Sequence, residues 1–359
     1  MSAMAAAATG RILAKGNEAI CLGAIAAGCR HYYGYPITPQ NDIPEYMAAH
    51  LPALGGTFLQ AESEVATVNV ILGTSAAGKR VMTSSSGPGI SLMQEGISYL
   101  IGSELPAVIV NISRSGPGLG GIAPSQGDYF QAVNGNGHGD GHVIVLAPHS
   151  VQEMYSLTML AFDLADRYRN PVMILGDAII GQMKEPFDPV PYLPGEPPDK
   201  PWALTGCAGR ERRYVKSMFL KDNAIEVHNW KLHEKYRTIR ENEVRSEPFL
   251  LDGARIGIVA FGTSARVCKT AIQWARKAGI PAGMLRPVTL FPFPEKAVRD
   301  LSKSVDALLV VEMNTGQMVE DVRQSTPHHD KIHFFGKPCA IPTPEEIFER
   351  IRALSERKP

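Results

Sequence analysis

Short apolar runs alternate with longer segments of helical spacing along the first half of the chain. His31–Tyr35, Val81–Thr83, Ala107–Ser113, Val143–Leu146 and Val172–Leu175 are β-prone and apolar enough to be buried on both sides. Between them Glu64–Leu72, Leu92–Ser103 and Val151–Leu164 carry helical patterns. Asn17–Ala27 is apolar nearly all round, which predicts a buried helix with Asn17 placed to cap it. Buried strands alternating with helices predict a parallel sheet covered on both faces. The pattern breaks after Gly181-Gln182-Met183. Pro186, Pro189, Pro191, Pro194, Pro197, Pro198 and Pro201 follow within 16 residues, which excludes helix interiors and predicts an extended connector. Asp222–Arg245 then reads as a charged helix whose Ile225, Trp230, Tyr236 and Ile239 clamp it on a neighbouring surface. A second βα pattern follows: a strand at Arg255–Phe261, a turn at Gly262-Thr263-Ser264, a helix at Ala265–Ala278, and strands at Ala282–Leu285 and Ala307–Val311. The fold class expected is α/β, in two domains at 1–185 and 251–359 joined by a connector and charged helix at 186–250.

Composition agrees with this reading and narrows the function. The chain has 359 residues, 44% of them hydrophobic, which is ample for a sizeable core. Thirty-six basic and 36 acidic side chains give zero net charge, so no strong field is available for nucleic acid or an anionic membrane. Charge is concentrated in residues 201–250, where 17 of 50 are charged, 34% against 20% overall. No apolar run reaches the roughly 18 residues of a membrane span, and the first residues do not read as a signal peptide. The five cysteines, at 21, 29, 207, 268 and 339, form no C-x-x-C pair. That spacing argues against a zinc site or iron–sulfur cluster held by this chain alone and predicts reduced, cytoplasmic thiols.

Several segments at predicted strand ends could carry chemistry. Gly34-Tyr35-Pro36-Ile37-Thr38-Pro39 follows the first strand, where open α/β sheets bind ligands, although a rigid connector would look the same. Glu62-Ser63-Glu64-Val65-Ala66 opens an apolar helix. The helix dipole explains Glu62, whereas Glu64 lies among Val65, Ala66, Val68 and Val70 and reads as a buried acid. Thr83-Ser84-Ser85-Ser86-Gly87-Pro88-Gly89 lets a backbone approach a ligand closely, but without a lysine it is no nucleotide P-loop. Arg114 opens a second such loop, Ser115–Gly121, and can hold a carboxylate or merely form a surface ion pair. His138-Gly139-Asp140-Gly141-His142 gives no metal-ligand geometry. It also lacks the preceding strand and following asparagines of a diphosphate–Mg²⁺ motif, and Gly176-Asp177 has no asparagine after it before Asn223.

Together these segments resemble a family. Tyr35-Pro36-Ile37-Thr38-Pro39, Glu62–Ala66, Ser85–Gly89 and Arg114 are similar to the pyrimidine-binding half of 2-oxoacid:ferredoxin oxidoreductases. Leu285-Arg286-Pro287-Val288-Thr289-Leu290-Phe291-Pro292-Phe293-Pro294 and Glu312-Met313-Asn314-Thr315-Gly316-Gln317 extend the likeness to the C-terminal part. The resemblance is to the alpha-type subunit of a multi-subunit member. Pro124–Gln131 followed by Gly137-His138-Gly139-Asp140 looks most like the branched-chain, 3-methyl-2-oxobutanoate enzymes.

The resemblance implies a thiamine diphosphate pyrimidine-binding domain and a smaller α/β transketolase C-terminal-like domain. It implies that the cofactor is shared with a beta-type subunit, which carries the diphosphate domain and Mg²⁺. Small gamma or delta subunits would carry [4Fe-4S] clusters, ferredoxin would take the electrons, and coenzyme A the acyl group. Carried onto this sequence, Glu64 is the catalytic acid at the pyrimidine, Thr38 and Arg114 hold the substrate, and Tyr35, Pro36, Ile37, Glu64, Ser86 and Gly87 bind the cofactor. A glutamate bonded to the pyrimidine ring nitrogen favours the tautomer that removes the C2 proton, and this needs a dry pocket. No metal ligand is assigned to this chain. Three other readings are a 2-oxoglutarate enzyme subunit, a non-catalytic structural subunit, and a component of a different thiamine enzyme. On substrate choice, the loop Ser115–Gln131 contains no Lys, Arg or His but offers Leu119, Ile122, Ala123, Tyr129 and Phe130, so an apolar branched substrate is expected. His138 and His142 are the residues that would spoil this expectation by entering the pocket as cations.

Overall fold

The structure is a computed structural model and describes residues 10–190 and 199–356. The chain opens with β1 (Ile12–Lys15), α1 (Gly16–Ala26), β2 (His31–Gly34), α2 (Asp42–His50), β3 (Thr57–Gln60) and α3 (Glu64–Ala76). It continues through β4 (Val81–Ser85), α4 (Gly87–Gly102), β5 (Val108–Ser113), α5 (Tyr129–Val133), β6 (Ile144–Leu146) and α6 (Val151–Tyr168). Next come β7 (Val172–Asp177), α7 (Ala178–Gln182), β8 (Lys184–Phe187), α8 (Ala224–Asn242) and β9 (Ser246–Phe249). The last part holds β10 (Ile256–Val259), α9 (Gly262–Lys277), β11 (Ala282–Pro287), β12 (Thr289–Phe291), α10 (Glu295–Ser304), β13 (Ala307–Glu312), α11 (Met318–Ser325), β14 (Ile332–Gly336) and α12 (Pro344–Ser355).

Seven strands form the first sheet in the order β12-β6-β7-β5-β4-β2-β3, parallel apart from β12. Its central strand, Val108–Ser113, is buried along its whole length because helices cover both faces. Helices α1, α2 and α6 pack together, and α3 packs on α4. Right-handed crossovers put these two groups on opposite faces. The strand order reverses between β2 and β4, so their C-terminal loops, Tyr35–Pro39 and Ser86–Gly89, border one crevice. The second sheet has the order β14-β13-β10-β11-β9, with only β9 antiparallel, and a separate apolar core under α9 and α12.

Sheet membership does not follow the segments expected from the sequence. Ser246–Phe249, placed in the connector, is an edge strand of the second sheet, and Thr289–Phe291 from the last segment pairs with β6 in the first. The strand Lys184–Phe187 spans the position expected to divide 185 from 186, because its register with β1 runs through both residues. Pro191, Pro194, Pro197 and Pro198 lie outside the described residues. Asn17 does not cap α1. Lys15 occupies the cap position, and the Asn17 amide instead donates to Pro39 O and to Asp42 Oδ2, both at 3.0 Å. The charged helix does clamp on the first unit, through buried Leu232, Tyr236 and Ile239, whereas Ile225 and Trp230 are exposed. Lys231 and Lys235 pair with Glu104 on that surface. No helix among the described residues is long and apolar enough to cross a membrane.

The two units are welded by polar contacts as well as by β12. Arg286 on β11 is buried and bonds Glu153 of α6 at 2.7 Å and Glu247 of β9 at 2.6 Å. His149 sits beside Glu153 and Glu247 in a grouping that resembles metal ligation. The guanidinium of Arg286 and the ammonium of Lys269 already occupy that space, Lys269 lying 3.0 Å from His149 Nε2 and 3.1 Å from Glu247. Burial works against ionisation of Glu153, but the His149 hydrogen bond and the Arg286 charge hold it down at about 2.

Candidate active site

Helix α4 starts at Gly87, straight after the buried end of β4, and its first turn is the centre of the site. Ser86 stands at the cap position, yet its hydroxyl is buried without a hydrogen bond, as are those of Thr83 and Ser85. The sequence Gly-Pro-Gly is required here by close approach. A Cβ on Gly87 would stand 2.9 Å from both carboxylate oxygens of Asp128. A Cβ on Gly89 would stand 2.4 Å from Glu64 Oε1 and 2.1 Å from Ser85 Oγ. Residues two apart are about 200° apart around a helix, so two carboxylates flank this turn from opposite sides. The positive end of the helix dipole favours both.

Glu64 is the first residue of α3 and is 6% exposed. Ser63 caps the helix, its Oγ accepting the Ala66 N–H at 3.1 Å, and this turn aims Glu64 at Gly89. The Glu64 carboxylate takes no hydrogen bond from any described residue. Glu62 is exposed and precedes the cap, so it is not in the first helical turn as its place in the sequence suggests.

Tyr35, Pro36 and Thr38 are exposed and Ile37 is half-buried. The loop they form is fixed from below. Gln40 donates to Tyr35 O at 3.2 Å and accepts from Ser84 Oγ, while Pro39 O accepts from Asn17 and from Gln182 at 2.7 Å. Ala61 N donates to Gly34 O at 3.0 Å, which seats the loop beside the segment leading into Glu64.

Arg114, at the end of β5, is 9% exposed. Nη1 donates to Thr38 O at 2.9 Å and Nη2 to Leu119 O at 3.1 Å, while Nε is buried and unbonded. Thr38 and Arg114 are therefore brought together, through the Thr38 carbonyl. Two of the five guanidinium N–H groups are used and three remain. Arg114 and Gly87 line one cavity of about 440 Å³, with Ser115, Asp128, Asn314 and Cys339 also in its wall. Thr38, Glu64, Tyr35, Pro36, Ile37 and Ser86 are not in that wall, so of the two expected substrate residues only Arg114 faces the cavity.

The expected apolar wall is not realised: none of Leu119, Ile122, Ala123, Tyr129 and Phe130 lines this cavity, and the loop presents Ser115–Gly118, Ser125, Gly127, Asp128 and Gln131 to it instead. Tyr129 is fully buried, its hydroxyl on Asp321 and its ring 5.6 Å from Phe261, because it serves the contact between the units. Leu119 and Ile122 are exposed by 85% and 69% on the loop beside Arg114. Neither feared histidine lines the cavity. His138 is exposed, and His142 stacks on Phe291 at 4.4 Å, where burial and then the Arg240 charge lower its pKa to about 4.

Three residues given no role from the sequence, Asp128, Gln126 and Asn314, shape the site. Asp128 accepts from Asn111 Nδ2 at 3.1 Å; burial raises its pKa, opposed by Asn111 and by the Arg114 charge. Gln126 reaches the second unit, donating to Phe261 O at 2.8 Å and accepting from Ser264 Oγ at 2.8 Å and Met313 N at 3.0 Å. Asn314 Nδ2 closes this joint on Gln126 O at 2.9 Å. The signal available in the sequence was that both family-like segments, Pro124–Gln131 and Glu312–Gln317, are polar but hold few charges, as an internal joint requires. Asp177 has its own duties: it caps α7 through Ile179 N and Ile180 N and accepts from Thr263 Oγ1 at 2.9 Å.

Comparison with known proteins places this geometry. Residues 22–237 match the family model described as pyruvate flavodoxin/ferredoxin oxidoreductase, thiamine diphosphate-binding, and residues 254–340 match pyruvate:ferredoxin oxidoreductase core domain II. The chain is 52% identical, over 89% of its length and 90% of the relative's, to the ketoisovalerate oxidoreductase subunit VorB of Methanothermobacter thermautotrophicus. It is 40% identical, over 94% of its length and 97% of the relative's, to the 2-oxoglutarate synthase subunit KorA of Archaeoglobus fulgidus. Among solved structures, the 2-oxoglutarate:ferredoxin oxidoreductase of Magnetococcus marinus, with 2-oxoglutarate, coenzyme A and succinyl-CoA bound, matches at a TM-score of 0.86 and 28% identity. That match covers 96% of this chain and 65% of the other. A split-gene transketolase matches at a TM-score of 0.54 and 12% identity, over 95% of this chain and 97% of the other, and shows the shared fold. With one family model covering the sheet that carries Glu64 and Arg114 and the other covering the unit docked against it, the chain belongs to the 2-oxoacid:ferredoxin oxidoreductase family.

Proposed function

We propose that this chain is the alpha-type subunit of an enzyme that oxidatively decarboxylates a 2-oxoacid to acyl-CoA and CO₂, with branched acids such as 3-methyl-2-oxobutanoate preferred. The observation that carries the reading is Glu64: a largely buried residue whose carboxylate takes no hydrogen bond from a described residue, inside a domain that matches a thiamine diphosphate-binding family model. The residues present fit that cofactor. Glu64 takes no hydrogen bond from a described residue, the Ser85 and Ser86 hydroxyls are buried without partners, and a Cβ on Gly89 would fill the space between Glu64 and Ser85. Thiamine diphosphate, when bound, supplies the carbon nucleophile for the 2-oxo group and takes up the electrons left when CO₂ departs.

The chain's own residues do the rest. Glu64 holds a proton at the pyrimidine ring nitrogen, in surroundings dry enough for that bond to be strong. Tyr35, Pro36, Ile37, Ser86 and Gly87 shape the cofactor's seat. Arg114 offers three remaining N–H groups to the substrate carboxylate, and Thr38, tied to it through a carbonyl, stands beside the same group. The lack of Lys, Arg and His between Ser115 and Gln131 leaves no obvious partner for a second carboxylate, which favours the branched acid over 2-oxoglutarate. Relatives named as enzyme subunits support the reading that partners complete the site. A beta-type subunit would hold the diphosphate and Mg²⁺, gamma- or delta-type subunits the [4Fe-4S] clusters, and ferredoxin would receive the electrons in the cytoplasm.

The test is to purify the assembled complex and assay a panel of 2-oxoacids with coenzyme A and ferredoxin or a viologen dye. We expect the highest kcat/KM for 3-methyl-2-oxobutanoate and related branched acids. A higher kcat/KM for 2-oxoglutarate would overturn the substrate assignment, and no reduction of the acceptor with any 2-oxoacid would overturn the reaction.

A further inference from the structure

Asp128 occupies the cap position of α5 but does not cap it. An aspartate there would ordinarily accept from the helix's own N–H groups. Its carboxylate is turned away instead, against the backbone of Gly87 and onto Asn111 Nδ2 at 3.1 Å. It thereby joins the first turn of α4 to the middle of β5, three residues before Arg114. Asp128 also shares the wall of the 440 Å³ cavity with Arg114.

The loop that carries Asp128 is clamped on both sides by one side chain of the second unit. Gln317 Nε2 donates to Gly127 O at 2.8 Å, and Gln317 Oε1 accepts from Phe130 N at 2.7 Å. Gln317 is itself placed by Glu312, whose Oε2 accepts the Gln317 N–H at 3.3 Å. A continuous path of hydrogen bonds and contact therefore runs from Glu312 through Gln317 and Asp128 to Gly87 and Asn111. The amide pair of Gln317 fixes both the height and the tilt of the Asp128 backbone, which a single bond would not.

We propose that Asp128 is a positioning residue, held by Gln317 of the second unit, that fixes the first turn of α4 beside Arg114 and so sets the affinity of the site for the 2-oxoacid. This rests on the functional reading given above and adds to it the route by which the second unit acts on the site. The role is one of shape and hydrogen bonding. Asparagine at 128 fills the same space and keeps an acceptor for Asn111, whereas alanine leaves the Gly87 backbone unsupported.

The test uses the assembled complex carrying Asp128→Ala, Asp128→Asn or Gln317→Ala, with two readouts. We expect Asp128→Ala to raise the KM for 3-methyl-2-oxobutanoate by about tenfold or more, the size of one lost charge-assisted bond, with kcat changed less. Asp128→Asn should return KM to within about threefold of the wild type, and Gln317→Ala should raise KM in the same direction as Asp128→Ala. The second readout is amide hydrogen exchange at residues 90–93, which is independent of activity; it should speed up about tenfold in Asp128→Ala and Gln317→Ala but not in Asp128→Asn. Both shifts are required. An unchanged KM in an active Asp128→Ala complex, unchanged exchange, or an Asp128→Asn complex as impaired as Asp128→Ala overturns the proposal. If the exchange shifts occur in a complex whose wild type oxidises no 2-oxoacid, the functional reading fails, and with it the proposed effect on affinity.

Discussion

Two helices of this chain begin against a buried glutamate, and the two are finished differently. At α11 in the second unit, Glu312 accepts the N–H groups of Gln317, Met318 and Val319 and the amide of Asn314, at 2.8 to 3.3 Å. At α4 in the first unit, Glu64 lies against Gly89 with no donor from a described residue, and the cap hydroxyl of Ser86 is unbonded. A buried carboxylate is costly unless hydrogen-bonded. Glu312 has met that cost within the chain and is a structural residue, even though burial still raises its pKa. Glu64 takes no such bond from a described residue, which fits the cofactor-facing role proposed for it. Burial alone would not have separated the two residues, since Glu312 is the more buried.

The largest effect should follow from breaking this contrast at Glu64. Glu64→Gln keeps the size of the side chain but removes the carboxylate, and turnover of the complex should fall at least about 100-fold with the fold unchanged. Glu62→Gln, one residue outside the cap, should leave turnover close to the wild type. Equal losses would dissolve the distinction between the two acids. Arg114→Lys comes next: it loses the guanidinium fork that bonds Thr38 O and Leu119 O, and the KM for the 2-oxoacid should rise about 10- to 100-fold. Glu312→Gln should instead cost about 1–3 kcal/mol of stability, read as a lower Tm, with kcat per folded complex little changed. Loss of kcat without loss of stability would mean that Glu312 is more than structural.

The smallest effect concerns His142. Its pKa is about 4 in the folded chain against 6.5 when unconstrained, so below pH 6.5 the unfolded chain binds the extra proton more readily. Stability should therefore decline as pH falls from 6.5 towards 4, by at most about 3 kcal/mol. His142→Phe, keeping the stack on Phe291, should remove that part of the pH dependence, as followed by Tm against pH. An unchanged slope would place the titration elsewhere.

Much of the first sheet was legible because its strands are apolar on both faces and each is followed by helical spacing. Strand Thr57–Gln60 was missed: it is short and mostly exposed, so no apolar run marks it. Strand Thr289–Phe291 is buried, but its place in the first sheet is set by pairing with β6, a contact between distant segments that local patterning does not encode. Glu64 and Arg114 could be picked out from their position at predicted strand and helix ends. Asp128 and Gln126 could not, because their significance lies in contacts with Gly87, Asn111, Ser264 and Met313, which depend on the docking of the two units. Tyr129 shows the converse error: an aromatic residue in a candidate pocket loop is claimed by the core once the second unit docks.

The role proposed for Glu64 is to activate a bound thiamine cofactor. The most direct measurement is the rate at which the C2 proton of thiamine diphosphate exchanges with deuterated solvent in the assembled complex, without substrate, followed by quenched-flow NMR. Glu64→Gln should slow this exchange by at least about 100-fold while the cofactor remains bound. An exchange rate equal to the wild type's, with full occupancy, would contradict that role.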